Sequence, residues 1–352
     1  MPLTNIIKEK ISVEVIKTLV TRFESFPEDA SNNRNAPFHE AFLNAFADKL
    51  EGKVSDTPFF ISLSSWLQGL NTTLGQSFFE NVAHHLCDGE KREYTSKKLG
   101  NLKITQEQKS AANDIITNLS NSKNCPNLND ENKKLFRNGY SSLVNAIDFS
   151  ADVFYESDDS AIAIELKSVK PNSGEMRGEK QKILEGKAAL YREFPSKKIY
   201  FYIGFPFDPT VNPLDEVTTG YDKSRFLKSI INMDKFFSHE ETLVASELWN
   251  FLSGEKNTME EIIAIINTIS TTKFQDKLQL LAKNSKRNTS EYIAQLQEWN
   301  LFSEKKLIEN DDVIRQQIAN NGSLTRIYNK NALDSKGNYN WQRYRDLEKL
   351  IC

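Results

Sequence analysis

A mixed β-sheet flanked by helices, followed by a helical C-terminal part, is the α/β (α+β-like) fold that this chain predicts. Three observations carry it. Residues 152–167 form two strand-like runs around a polar turn, residues 176–205 read as a helix and then a buried strand, and beyond Thr242 the apolar spacing is nearly all helical. Strands mixed with helices and then followed by helices fit one sheet with helical cover.

Taken in order, the chain opens with a helical pattern from about Thr4 to Phe23, where Ile7, Ile11, Val15 and Leu19 repeat every four residues. A second pattern starts at Pro37, a favoured first helical position, and sets Phe38, Phe42, Phe46 and Leu50 as core residues. The third begins near Asn71 with Leu74, Phe78, Val82 and Leu86 on one face. Residues 120–135, rich in Asn, Asp and Lys, read as an exposed loop. After the hairpin come a turn at Lys170–Gly174, a helix from about Met176 to Phe194, and a buried strand from Lys198 to Phe205 ended by Pro206 and Pro209. Further helices follow at 259–269 and 291–301. A division at 1–255 for the core with its N-terminal helices, and 256–352 for a mostly helical C-terminal region, fits these patterns. The second part is expected to serve recognition or dimerisation.

At 352 residues, 39% hydrophobic and 26% charged, the chain has the composition of a globular protein with a substantial core. No apolar run approaches the roughly 20 residues that span a bilayer, and the N-terminus lacks a secretory pattern. Cys87, Cys125 and Cys352 are too few and too scattered for a disulfide framework or a zinc site, and the histidines lack ligand spacing, with His84 and His85 read as an exposed pair. A cytoplasmic location without a membrane partner is the expectation. The net charge of -3 is an average, and from Ala163 to Tyr200 nine bases stand against five acids, a stripe that a phosphate backbone could follow.

The chemistry sits in the hairpin. Val153, Tyr155, Ile162, Ile164 and Leu166 alternate with smaller or polar residues, the signature of half-buried strands. Counting outward from a two-residue turn at Asp158 and Asp159 sets Asp152 opposite Glu165, with Cβ atoms roughly 4.5–5.5 Å apart. Lys167, two residues on, points to the same side. Two facing carboxylates repel, and a divalent cation resolves the conflict. Mg²⁺ suits such a pair, because it takes one or two carboxylates and keeps water and phosphate oxygens. Asp152, Glu165 and the Leu166 carbonyl are the expected ligands, with Lys167 orienting an attacking hydroxide or stabilising developing charge.

Glu-x-Lys also occurs at Glu51, Glu107, Glu131, Glu185 and Glu304, most of which read as solvated surface pairs. Glu165 alone combines strand patterning, an upstream acid in register and an aliphatic opposite face. Asp148 rivals Asp152 for the first acid, being four residues earlier on the same expected face.

This order of helix, strands carrying Asp and Glu-x-Lys, helix and strand resembles the PD-(D/E)xK nuclease core, with Ala151 where the motif name has Pro. Leu70–Glu80 resembles the helix that precedes the sheet in many type II restriction endonucleases, and Glu165–Gly174 resembles their catalytic strand and loop. Ile203–Pro209, Gly220–Lys223 and Leu248–Gly254 look like the MjaII/TdeIII family. The resemblance implies a restriction-endonuclease-like sheet and Mg²⁺-dependent, site-specific cleavage of double-stranded DNA at a short palindrome, of GGNCC type, leaving 5′-phosphates. It makes Asp152 and Glu165 metal ligands, Lys167 the water-positioning base and Glu80 a helix-borne acid that assists them, with Glu40 as its rival. A homodimer would match the twofold symmetry of a palindrome, and a cognate DNA methyltransferase is implied as a functional partner.

Lys170, Asn172, Ser173 and Arg177, polar and adjacent to the cleavage strand, are candidate DNA contacts. Arg326–Arg345, with five bases interleaved with aromatics, is a second candidate surface. A structure-selective repair or recombination nuclease on the same core, or a non-catalytic DNA-binding protein, are the alternatives.

Overall fold

The computed structural model describes residues 2–27, 36–54, 57–137, 139, 141–167 and 175–351. The chain folds into two compact units, each discontinuous in sequence: Met1–Leu3 with Phe79–Ile262, and Thr4–Phe78 with Ile263–Cys352. The N-terminal helices thus group with the C-terminal ones.

The first unit is built on a mixed sheet. Its strands are β1 (Glu90–Tyr94), β2 (Lys103–Thr105), β3 (Leu143–Asn145), β4 (Phe149–Glu156), β5 (Ser160–Leu166), β6 (Lys198–Phe205) and β7 (Thr242–Val244). Five of them form the main sheet in the order β1-β4-β5-β6-β7, while β2 and β3 pair apart. The β1, β4 and β5 neighbours run antiparallel, and β5, β6 and β7 run parallel.

β5 lies at the centre, and from Ser160 to Ile164 both of its faces are buried. The expectation of a half-buried strand is corrected here: Ala161 and Ala163 are covered as fully as Ile164. Their small side chains let the helix Glu175–Glu193 lie close on that face. Gly186 of this helix makes the approach possible, since a Cβ there would stand 2.7 Å from Phe201 and 3.1 Å from Phe149. On the opposite face, Gly204 packs beneath Ile164, Leu166 and Leu248, the last from the helix Ser246–Ser253. Each buried isoleucine of β5 contributes about 1.5–3 kcal/mol.

Sequence chemistry sets several helix ends. Thr105 and Gln108 bond each other's backbone amides at 3.1 and 2.9 Å, a reciprocal cap for the helix Gln106–Ser120. The stretch expected to be loop contains the helix Leu128–Leu135: Asn127 caps it, acids occupy its first turn and lysines its last, so its polar residues complement the helix dipole rather than break the helix.

The second unit is helical. Its long first helix, Asn5–Glu24, is capped by Thr4. Phe274 stacks between Phe23 and Trp299 at centroid distances of 5.4 and 5.5 Å. Phe38, Phe42 and Phe46, expected in the core, are exposed. Phe38 and Phe42 line an open groove, and a 3-10 turn at Asn44–Phe46 breaks the 3.6-residue period before Phe46. The third helix begins at Thr57, not Asn71, and runs to Thr73 before a π-helical turn, Leu74–Phe78. In the Arg326–Arg345 stretch, Arg343 and Tyr339 are buried against Glu304, which removes them from any surface role. No helix among the described residues is long and apolar enough to cross a membrane.

Candidate active site

The hairpin has the register that its turn predicts. Val153 pairs with Ile164, Tyr155 with Ile162 and Glu156 with Ala161, and the Ser157 amide closes the turn on the Ser160 carbonyl at 2.9 Å. The same register, continued one step, brings Asp152 opposite Glu165. There the backbone ladder stops, and the Asp152 side chain takes over: Oδ2 accepts from the Leu166 amide at 2.9 Å. This bond fixes the carboxylate against the end of β5, and its other oxygen remains for a cation.

That cation is Lys91. The β1–β4 register slips between Glu90↔Phe154 and Arg92↔Ala151, so β4 places two residues, Asp152 and Val153, against Lys91 alone. Such a bulge re-aims side chains locally. Lys91 Nζ lies 3.0 Å from Asp152 Oδ1 and 3.0 Å from Glu80 Oε2. Glu80 sits in the helix Phe79–Cys87, directly after the π-helical turn. Burial disfavours the Lys91 ammonium, but Asp152 and Glu80 outweigh it and raise its pKa. From the same helix His84 Nε2 donates to the Asp152 carbonyl at 2.7 Å, so this histidine is half-buried and structural rather than one of an exposed pair.

On the far side of Glu165, Lys167 Nζ lies 2.9 Å from Glu165 Oε1 and 3.3 Å from Glu179 Oε1. Glu179 comes from the helix that covers this face of the sheet. Burial opposes the charge on Lys167, yet the two carboxylates raise its pKa, so it remains an ammonium at neutral pH. Glu165 is pushed up to about 7, first by burial and then by the Asp152 charge, with Lys167 opposing both. Burial and the facing carboxylate thus both disfavour the charge on Glu165.

The donor set fits a hard divalent ion. Among the described residues no three His, Cys, Asp or Glu side chains are arranged to hold a metal, and the candidate donors here are two carboxylates, which oxygens from the backbone, water and substrate would complete. Mg²⁺ accepts such an oxygen set, whereas softer metals prefer nitrogen and sulfur ligands.

Other expected positions fall elsewhere. Asp148 is exposed and accepts from Asn101, so it does not join the acid pair. Glu40 lies in the other unit. Arg177 is exposed on the Glu175–Glu193 helix, whereas Lys170, Asn172 and Ser173 lie outside the described residues. Part of the basic stripe is engaged within the protein: Lys180 and Lys187 are buried on Glu241, while Lys182 pairs with Glu179 and Lys197 with Glu156 nearer the surface.

Residues 3–270 match the family model described as "Type II restriction endonuclease, HinfI". The chain belongs to the HinfI family of type II restriction endonucleases. It is also 42% identical, over 371 positions covering 99% of this chain and 98% of the relative, to the type II restriction enzyme MjaII of Methanocaldococcus jannaschii. The matched residues span the whole hairpin, Glu80, Lys91 and Glu179.

In this endonuclease, sequence reasoning missed Lys91 and Glu179. β1 reads Glu-Lys-Arg-Glu-Tyr, without the apolar alternation that marks a strand, because it is an edge strand protected by charge. Glu179 carried one available signal, its position four residues into the helix that follows Glu-x-Lys. Three of the five other Glu-x-Lys acids, Glu131, Glu185 and Glu304, proved to be buried and internally bonded rather than solvated.

Proposed function

We propose that this restriction endonuclease is Mg²⁺-dependent and hydrolyses double-stranded DNA at a short palindrome, leaving 5′-phosphates. The observation that carries the reading is the register of the hairpin, which sets Asp152 against Glu165 and places Lys167 beside them on a face covered by Glu179. Asp152, Glu165 and the Leu166 carbonyl would hold the ion. When bound, Mg²⁺ supplies an acidified water and neutralises charge on a phosphoryl oxygen.

The remaining work falls to the protein. Asp152 is aimed by the Leu166 amide and the His84 contact to its backbone. Lys167, kept charged by two carboxylates, donates hydrogen bonds to the attacking oxygen or the phosphoryl group and does not take a proton. Glu80 is the assisting acid on the other side of Asp152. Arg177, with Lys170, Asn172 and Ser173, would meet the DNA. A GGNCC-type site, a homodimer that cuts both strands, a role for residues 256–352 in recognition or dimerisation, and a protecting methyltransferase belong to the same reading.

Incubation of plasmid DNA with Mg²⁺ should give discrete fragments, and Glu165→Ala should give none. Sequencing of the fragment ends reads the site and the stagger together. Equal cleavage by the two proteins, or cleavage confined to flaps and junctions, overturns the proposal.

A further inference from the structure

Both oxygens of Asp152 are engaged, Oδ2 by the Leu166 amide and Oδ1 by Lys91. The same ammonium is held at 3.0 Å by Glu80. It stands between two acids of the proposed site, and the backbone puts it there: the register slip leaves Lys91 alone against Asp152 and Val153. With its side chain 37% exposed against 15% for Asp152, Lys91 has a way out toward solvent on a flexible stem.

We propose that Lys91 is a resident counter-cation, which occupies the Asp152–Glu80 position in the metal-free enzyme and leaves Asp152 when a divalent ion enters. Metal entry is then an exchange of an ammonium for an ion. The inference rests on the reading of Asp152 and Glu165 as the metal-holding pair. Two roles follow from one geometry. Without metal, Lys91 keeps Asp152 and Glu80 from facing one another uncompensated. With metal, it competes for Asp152 Oδ1, so the site discriminates against ions that cannot displace it.

The test is a calorimetric titration of Mn²⁺ alone, without DNA, into the full-length enzyme and into Lys91→Met, Lys91→Gln, Lys182→Met and Asp152→Asn. The two Lys91 variants should bind Mn²⁺ about tenfold more tightly than the parent, a gain equivalent to about 1.4 kcal/mol. Their melting temperatures should also rise more on Mn²⁺ addition. Lys182→Met controls for charge alone: it removes an ammonium that pairs with Glu179 but does not touch Asp152, and its affinity should stay within about twofold of the parent. Unchanged or weaker binding in both Lys91 variants overturns the inference while leaving the metal site intact. Affinity insensitive to Asp152→Asn, or no binding by any variant, overturns the metal reading itself.

Discussion

Glu179 Oε1 lies 3.3 Å from the Lys167 ammonium, although the two residues come from different elements, a helix and the end of the hairpin. The other oxygen, Glu179 Oε2, is buried and has no hydrogen-bond partner among the described residues. A carboxylate kept in that condition costs stability, and here its other oxygen helps to hold Lys167 in line with Glu165. Glu179→Ala should therefore lower the single-turnover cleavage rate by about ten- to hundredfold, the equivalent of a charge-assisted hydrogen bond of about 1.5–3 kcal/mol. The DNA concentration for half-maximal rate should move by less than about threefold. A fall in binding with no fall in rate would assign Glu179 to DNA contact instead.

The hairpin was legible because period-2 patterning and a two-residue turn together fix a register, and a register fixes which side chains meet. Glu80 could be nominated only by resemblance, since nothing in its helix periodicity points it toward Asp152. Lys91 depends on a relation that local patterns do not encode, a bulge in β4, and Glu179, marked only by its place in the helix after Glu-x-Lys, depends on the path of that helix across the sheet. The Leu128–Leu135 helix was hidden for another reason. Asn and Asp favour turns and helix caps alike, and only the fold decides between them.

The closeness of that helix to the sheet can be tested at Gly186. An added methyl would stand 2.7 Å from the Phe201 ring, and both Phe201 and Phe149 are buried. Helix propensity favours alanine by about 1 kcal/mol, whereas overpacking costs about 1–3 kcal/mol. With two aromatic rings fixed by their neighbours, the cost should prevail. Gly186→Ala is expected to lower the urea midpoint at unchanged slope, and a stabilised variant would mean that the helix can lift away freely.

Acid dependence has a specific source in the helical unit. Glu9 is buried and accepts from the Ser303 amide at 2.8 Å and its hydroxyl at 2.6 Å. Burial pushes its carboxyl up to about 6, with the Ser303 bonds opposing. Because the folded-state value lies above the unfolded one, near 4.5, the stabilising contribution is full below that pH and is lost as pH rises through about 6. The difference amounts to roughly 2 kcal/mol. Glu9→Gln should flatten that part of the stability profile, so the gap between variant and parent changes between about pH 4.5 and 6 and is constant above it. Parallel profiles across this window would show that Glu9 ionises as an ordinary surface acid.

On the helix that also carries Glu179, two lysines join two acids in a cluster of four buried charges. Lys180 pairs with Glu131 at 2.6 Å and with Glu241, and Lys187 pairs with Glu241 at 2.5 Å. Burial alone would raise the Glu241 carboxyl, but the two ammoniums outweigh it and hold it low, while burial pulls Lys187 down. Removing the shared acid is the severe change, because Glu241→Ala strands Lys187 and leaves Lys180 with Glu131 alone. A broken buried pair costs about 3–5 kcal/mol. Glu131→Ala should cost less, since both lysines keep Glu241. Replacing a buried pair with apolar side chains of similar volume is often close to neutral. The double variant Glu241→Met with Lys187→Met should then recover much of the loss, as Lys180 and Glu131 remain paired. Urea unfolding of the three variants gives the order directly. If Glu131→Ala proves the more damaging single change, or the double variant is no better than Glu241→Ala, the shared carboxylate is not the keystone of the cluster.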